Sequence, residues 1–139
     1  MDRRGFIRRS CFGCAGLAIG ANLLEGCSAA MPLVKVESDG NVMRIPLSSF
    51  TAADKVIART LHLPDDILII KHADKSFTAL YLRCTHRDQP LTATSTGLHC
   101  PSHGSRFALD GSVQQGPANK PLRTFNTTTD AASVIVYLH

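Results

Sequence analysis

The chain has 139 residues, 44% of them hydrophobic and 19% charged, a balance that fits one globular domain and excludes an intrinsically disordered protein. Arg3, Arg4, Arg8 and Arg9 crowd the first nine positions and the rest carries nearly balanced signs, so the net charge of +4 forms no basic stripe and excludes a nucleic-acid footprint. No run of about 18 apolar residues occurs, which argues against a full transmembrane helix.

Residues 2–8 read D-R-R-G-F-I-R, and a Gly- and Ala-rich apolar run follows from Cys11 to Leu24. A charged segment ahead of a short apolar one is a secretory pattern. Arg3–Arg4 followed by Phe6 resembles the twin-arginine export motif, which implies a protein carried already folded around its cofactor to the periplasmic side of a bacterial membrane. The segment L-E-G-C, Leu24 to Cys27, resembles a lipobox with Cys27 as the lipidated residue, although Glu25 departs from the usual small or apolar side chain. A cut after Ala30, where Ser28 and Ala30 supply a small-x-small pattern, and retention of the segment as a short anchor stand beside it. Cys11 and Cys14 read as small residues of the apolar run, because no βαβ pattern surrounds their spacing. Residues 1–30 are therefore expected to be signal or anchor, and 31–139 a single folded domain.

The body reads as β-structure. Short β-branched and apolar runs span 33–37, 42–46, 56–61, 67–71, 77–83, 97–100, 106–109, 122–127 and 133–138. Turn clusters separate them at Ser38–Asp39–Gly40, Pro64–Asp65–Asp66, Ala73–Asp74–Lys75 and Asp110–Gly111. The run D-I-L-I-I-K-H reads as a strand buried on both faces. One or two helical turns are expected over 48–55, opened by Ser48 or Ser49. The pattern predicts an all-β fold, an antiparallel sandwich without internal repeats.

Residues 84–106 carry the chemistry: C-T-H-R-D-Q-P-L-T-A-T-S-T-G-L-H-C-P-S-H-G-S-R. As ligands this is C-x-H, thirteen residues, then C-x-x-H. Each half pairs a soft thiolate with an imidazole on one tight turn. Two sulfur and two imidazole ligands are the inventory of a mixed-ligand [2Fe–2S] centre. They also suit tetrahedral zinc, although zinc fingers pair like ligands closely. A Cys84–Cys100 disulfide would leave both histidines unexplained, and a catalytic Cys/His pair lacks an identifiable third orienting group. His62, His72, His99 and His139 lack paired spacing, and His99 is expected to point away from the face that Cys100 takes. Lys71, Lys75, Arg83 and Arg87 read as a solvated face, with Arg87 able to steer an acidic partner.

C-T-H followed by C-P-S-H-G-S-R-F resembles the paired cluster-binding loops of the Rieske iron–sulfur family. Asp110–Gly111, Gly116–Pro117–Ala118 and Pro121–Leu122 resemble that family's covering segment. The resemblance implies a Rieske-like antiparallel β sandwich with two cluster-binding loops. Cys84 and Cys100 would bind the inner iron, and His86 and His103 the outer one near the surface. It also gives Ser105 as a hydrogen-bond donor to sulfur and places Pro117 in the covering segment. Phe107 stands where high-potential relatives have a tyrosine. Such hydrogen bonds raise the potential, so an intermediate value within the family's window of about −150 to +300 mV is expected. Many quinol-oxidising relatives add a loop-clamping disulfide, and its two places hold Gln89 and Ser102 here. The loops are then expected to be held by packing and backbone hydrogen bonds alone, and 92–97 to form a brief hairpin.

These features imply an exported one-electron carrier, a subunit or partner of a respiratory or photosynthetic complex, docking at the His86/His103 face. The alternatives are the small Rieske subunit of a molybdenum oxidase such as an arsenite-oxidase-like enzyme, or a dioxygenase ferredoxin. No residue pattern suggests intrinsic catalysis. Any membrane attachment is expected through the N-terminus.

Overall fold

A computed structural model of the protein describes residues 30–139. The twin-arginine motif, the apolar run and Cys27 lie outside the described residues. Residues Met31–His139 form one compact unit.

Twelve strands and one short 3-10 turn make up this part. The strands are β1 Leu33–Lys35, β2 Ser38–Asp39, β3 Val42–Pro46, β4 Lys55–Arg59, β5 Ile67–Lys71 and β6 Phe77–Tyr81, followed by β7 Thr92–Ala93, β8 Leu98–His99, β9 Arg106–Phe107, β10 Val113–Gln115, β11 Thr124–Thr129 and β12 Ser133–Tyr137. Eight of them form a curled sheet in the order β1-β4-β5-β6-β11-β12-β3-β2, antiparallel except for the parallel β1–β4 pair. The other four form a small sheet ordered β10-β9-β8-β7. The expected all-β sandwich is present.

Alternation along the long strands sets the first core. Met43 and Ile45, Val56 and Ala58, Val134 and Val136 point inward, while Arg44, Arg59 and other polar neighbours face water. Phe50 on Phe77 and Tyr81 on Phe125 add edge-to-face ring contacts at 5.1 and 5.7 Å. The β5 run is buried on both faces, as the continuous apolar run predicts. Ile67 and Ile69 join the first core, whereas Leu68 and Ile70 join a second with Leu80, Leu82, Leu98, Phe107 and Leu122. The β5–β6 hairpin is thus a wall with a hydrophobic core on each side.

The second core belongs to an excursion. β6 and β11 are sheet neighbours, yet residues 82–123 intervene between them and contain the whole small sheet. The chain leaves at Tyr81 and returns beside it, where the Tyr81 N–H donates to the Arg123 carbonyl at 2.9 Å. The expected strand 77–83 stops at Tyr81 because Leu82 and Arg83 turn into this lobe.

Three expectations need correction. Residues 48–55 hold only a 3-10 turn at Leu47–Phe50, capped by Pro46 without a side-chain bond, so neither Ser48 nor Ser49 opens a helix. Ser38–Asp39 is more than a turn: it pairs with Val42 and Met43 around Gly40. β10 had no place among the expected strands, since V-Q-Q carries little apolar signal.

Candidate metal centre

Two loops project from this excursion, Cys84–Gln89 and Cys100–Ser105, and they share one backbone design. In the first, the Cys84 N–H donates to the Gln89 carbonyl at 2.8 Å and the Asp88 N–H to the Cys84 carbonyl at 2.9 Å. In the second, the Cys100 N–H donates to the Ser105 carbonyl at 2.8 Å and the Gly104 N–H to the Cys100 carbonyl at 2.9 Å. Both are mounted on antiparallel pairs, Arg83 opposite Pro90 and His99 opposite Arg106. The fifth residue of each loop is left-handed, Asp88 at φ 51° and Gly104 at φ 80°. Glycine takes that conformation freely, and aspartate is among the few other residues that tolerate it. The loops are therefore a structural repeat, which the sequence reading missed because only a Leu-x-Cys framework recurs between them.

This design places the four expected ligands. Cys84 and Cys100 sit at the loop bases, 0% and 1% exposed, inside the second core and both as free thiols. The considered Cys84–Cys100 disulfide is therefore not formed. His86 is half-buried and His103 exposed at the loop tips, their ring centroids 5.0 Å apart and their planes at 85°. His86 Nδ1 is buried with no hydrogen-bond partner. Among the described residues no three His, Cys, Asp or Glu side chains converge on one point. A mononuclear tetrahedral ion with four protein ligands would need such convergence. A two-iron centre takes only two protein ligands at each iron.

A strap ties the loops together. The Thr85 hydroxyl donates to the Lys120 carbonyl at 2.7 Å, and the Ala118 N–H donates to Ser105 Oγ at 3.0 Å. Residues 116–122 thereby grip both loops, and the Gln115 amide adds a 3.2 Å bond to the Gly104 carbonyl. The expectation that packing and backbone hydrogen bonds alone hold the loops is corrected, because three side chains share the task. The strap rests in turn on the Asp110–Gly111 turn, where Leu122 N–H donates to the Gly111 carbonyl at 2.9 Å. Gly111 has φ +87°, and a Cβ there would come within 3.1 Å of Leu80. Hydrogen bonds from the Ser112 hydroxyl and N–H hold the Asp110 carboxyl below its ordinary pKa.

The remaining candidates fall into place around this frame. Ser105 is fully buried, and Phe107 lies at 0% exposure in the second core. Pro117 is exposed in the strap after a cis Gly116–Pro117 bond. Residues 92–97 do form the brief hairpin, with Thr92 opposite His99. His99 is half-buried opposite Arg106, outside the thiol-containing core. Arg83 is half-buried and has partners as well as solvent: it pairs with Asp65 at 3.0 Å and Asp88 at 3.4 Å, linking the first loop to the β4–β5 turn. Sequence reading gave Thr85 and Asp88 no role, since a threonine between two ligands announces no partner thirty-five residues away.

An all-β domain presenting two cysteine–histidine loops at one end has the form of a small metalloprotein. The chain belongs to the Rieske [2Fe–2S] domain family, whose model matches residues 42–126. It is similar to the cytochrome b6-f complex iron-sulfur subunit of Synechococcus sp. (strain JA-3-3Ab), with 31% identity over 90 residues. That alignment covers 63% of this chain and 52% of the relative, so the chain spans about half the length of such curated relatives. The corresponding subunit of Chlorobaculum thiosulfatiphilum is 21% identical over 142 residues, covering 97% of this chain and 75% of the relative. Among solved structures, the cyanobacterial plasma membrane Rieske protein PetC3 from Synechocystis PCC 6803 has the same fold, with TM-score 0.55, 22% identity, and coverage of 66% of this chain and 93% of that one. The family identifies the cofactor as a [2Fe–2S] cluster, which displaces the zinc reading.

Proposed function

We propose that Cys84 and Cys100 hold one iron of the cluster and His86 and His103 the other, and that the protein is an exported one-electron carrier. The observation that carries this is the pair of imidazoles at the loop tips, with His86 Nδ1 buried and unpartnered above two buried free thiols. An orphaned buried polar atom costs about 1–3 kcal/mol, a cost that a metal bond offsets. When bound, the cluster takes up and releases single electrons. The chain's own residues orient the ligands, exclude water and tune the potential. Ser105 Oγ accepts the Ala118 N–H, so its own proton remains to donate to sulfur. Phe107 supplies no second donor, and Pro117 helps the strap cover the loops.

The His86/His103 face is the site of docking, because His103 is the exposed ligand candidate. Residues 1–30 are the twin-arginine signal or, through Cys27, a lipid anchor, and 31–139 the electron-carrying domain on the periplasmic side. The complex served is respiratory or photosynthetic. A second reading, the small subunit of a molybdenum oxidase, is favoured by Gln89 and Ser102 standing where a loop disulfide is absent. Co-purification of a separate molybdenum-containing chain would select it.

Low-temperature EPR of the dithionite-reduced protein tests the reading. A rhombic spectrum with average g below that of all-cysteine ferredoxins is expected, and an all-cysteine signal would overturn it. Mass spectrometry of the mature N-terminus decides among Cys27, Ala30 and the uncleaved chain.

A further inference from the structure

We infer that the rim around the two imidazoles docks an acidic redox protein, and that Arg87 and Lys120 are the residues that recognise its carboxylates. The inference rests on the ligand assignment above and adds the chemistry of the partner. Arg87 adjoins His86 and is exposed. Lys120 is exposed too, and its carbonyl accepts the Thr85 hydroxyl, which brings the strap's one charged residue beside the same loop.

Positive charge is in excess around this rim, Arg87, Lys120 and Arg106 standing against the exposed Asp88, which shares Arg83 with Asp65, and Asp110. On the first loop the Asp88 carboxylate is engaged by Arg83 at 3.4 Å. On the second, residues 101–105 include no Asp, Glu, Lys or Arg. Beneath the strap, Asp110 accepts the Ser112 N–H and hydroxyl at 2.8 and 2.6 Å. Arg106 follows the second loop and is exposed. Among the described residues Arg87 and Lys120 enter no salt bridge, whereas Arg44, Arg59 and Arg83 each have a carboxylate. The far end of the β5–β6 hairpin differs, because Lys55, Lys71 and Lys75 there are interspersed with Asp54 and Asp74.

The rim is also polar. The large hydrophobic side chains exposed among the described residues are Leu33 and Leu61, neither on the two cysteine–histidine loops nor on the strap. Ser102, Asn119 and Gln115 are exposed on the second loop, the strap and its approach. Such a surface fits a hydrated, carboxylate-rimmed partner rather than an apolar socket. Rim charges act mainly on the association rate and its salt dependence. In the exchange one electron leaves the reduced cluster and the partner gains it, with no bond made or broken.

The test is stopped-flow oxidation of the reduced full-length holoprotein by two one-electron probes, hexacyanoferrate(III) and tris(1,10-phenanthroline)cobalt(III), with an acidic blue-copper protein as the protein-sized oxidant. With the two anionic oxidants the rate should fall with rising salt and drop about tenfold in the Arg87→Gln/Lys120→Gln double variant, the size expected of steering charges. The cobalt complex should show the opposite salt trend. The Lys55→Gln/Lys71→Gln variant, of equal net charge change, should leave all rates within about twofold. Rates that ignore the rim substitutions, or fall equally in both variants, would overturn the inference. An unchanged rhombic EPR signal in every protein separates that failure from failure of the ligand assignment, which would instead remove the signal's mixed-ligand character in the unsubstituted protein.

Discussion

The β5–β6 hairpin separates two cores that are stabilised by different means. On one face, strands of five or six residues run in continuous register and bury alternate aliphatic side chains. On the other, strands of two or three residues support two loops and a strap through isolated hydrogen bonds, with both thiols inside the apolar cluster. The first core follows from pattern and area and needs no ligand. The second is a frame that holds two buried free thiols and an unpartnered imidazole nitrogen, the candidate ligands of the proposed centre. On the proposed ligand assignment, stability and electron transfer are divided between two faces of one hairpin.

The sharpest way to break this division is Cys84→Ser. It should abolish the cluster absorption and EPR signal outright while the far-UV circular dichroism of the large sheet persists; loss of both together would mean the lobes are not separable. Next comes the reverse experiment, Ile69→Ala in the first core. It should cost about 2–5 kcal/mol in denaturant unfolding, the usual range for a buried large-to-small change, yet leave the EPR g values unmoved.

Ser105→Ala acts on the second core alone. It leaves the buried Ala118 N–H unpaired, at a cost of about 1–3 kcal/mol, and should lower the reduction potential in protein-film voltammetry. Phe107→Tyr tests the same tuning from the other side. One added hydrogen bond of about 1 kcal/mol corresponds to a rise of roughly 40 mV for a one-electron couple, and voltammetry showing no rise would remove the argument.

The smallest effect is expected at Asp110, under the strap. Its carboxyl is held below the ordinary value by the Ser112 hydroxyl and N–H, so its folded pKa is depressed. The contribution is full above the unfolded carboxylate value of about 3.9 and disappears as pH falls through the lower folded value. Asp110→Asn should therefore weaken the protein at neutral pH and converge with the unsubstituted chain in acid, as thermal melts across a pH series would record.

The same division explains what was legible in the sequence. The long strands could be read because burial imposes a period of two on Val42–Pro46 and Ser133–Tyr137, and a continuous apolar run on Ile67–Lys71. The four candidate ligands were legible because Cys and His are rare and closely spaced. The frame around them was not. β2 and β10 are short and polar, and the parallel β1–β4 pairing depends on how a three-residue strand meets a distant edge. The shared loop design is written in backbone hydrogen bonds, with Asp88 doing in one loop what Gly104 does in the other. The Thr85–Lys120 and Ser105–Ala118 links join residues whose partners no local pattern reveals.

Pulsed EPR of the reduced protein grown with 15N-histidine tests the central claim most directly. Two imidazole nitrogens strongly coupled to the cluster are predicted, with one coupling lost when His86 or His103 is replaced. A cluster that forms with no histidine nitrogen coupled to it would contradict the assignment.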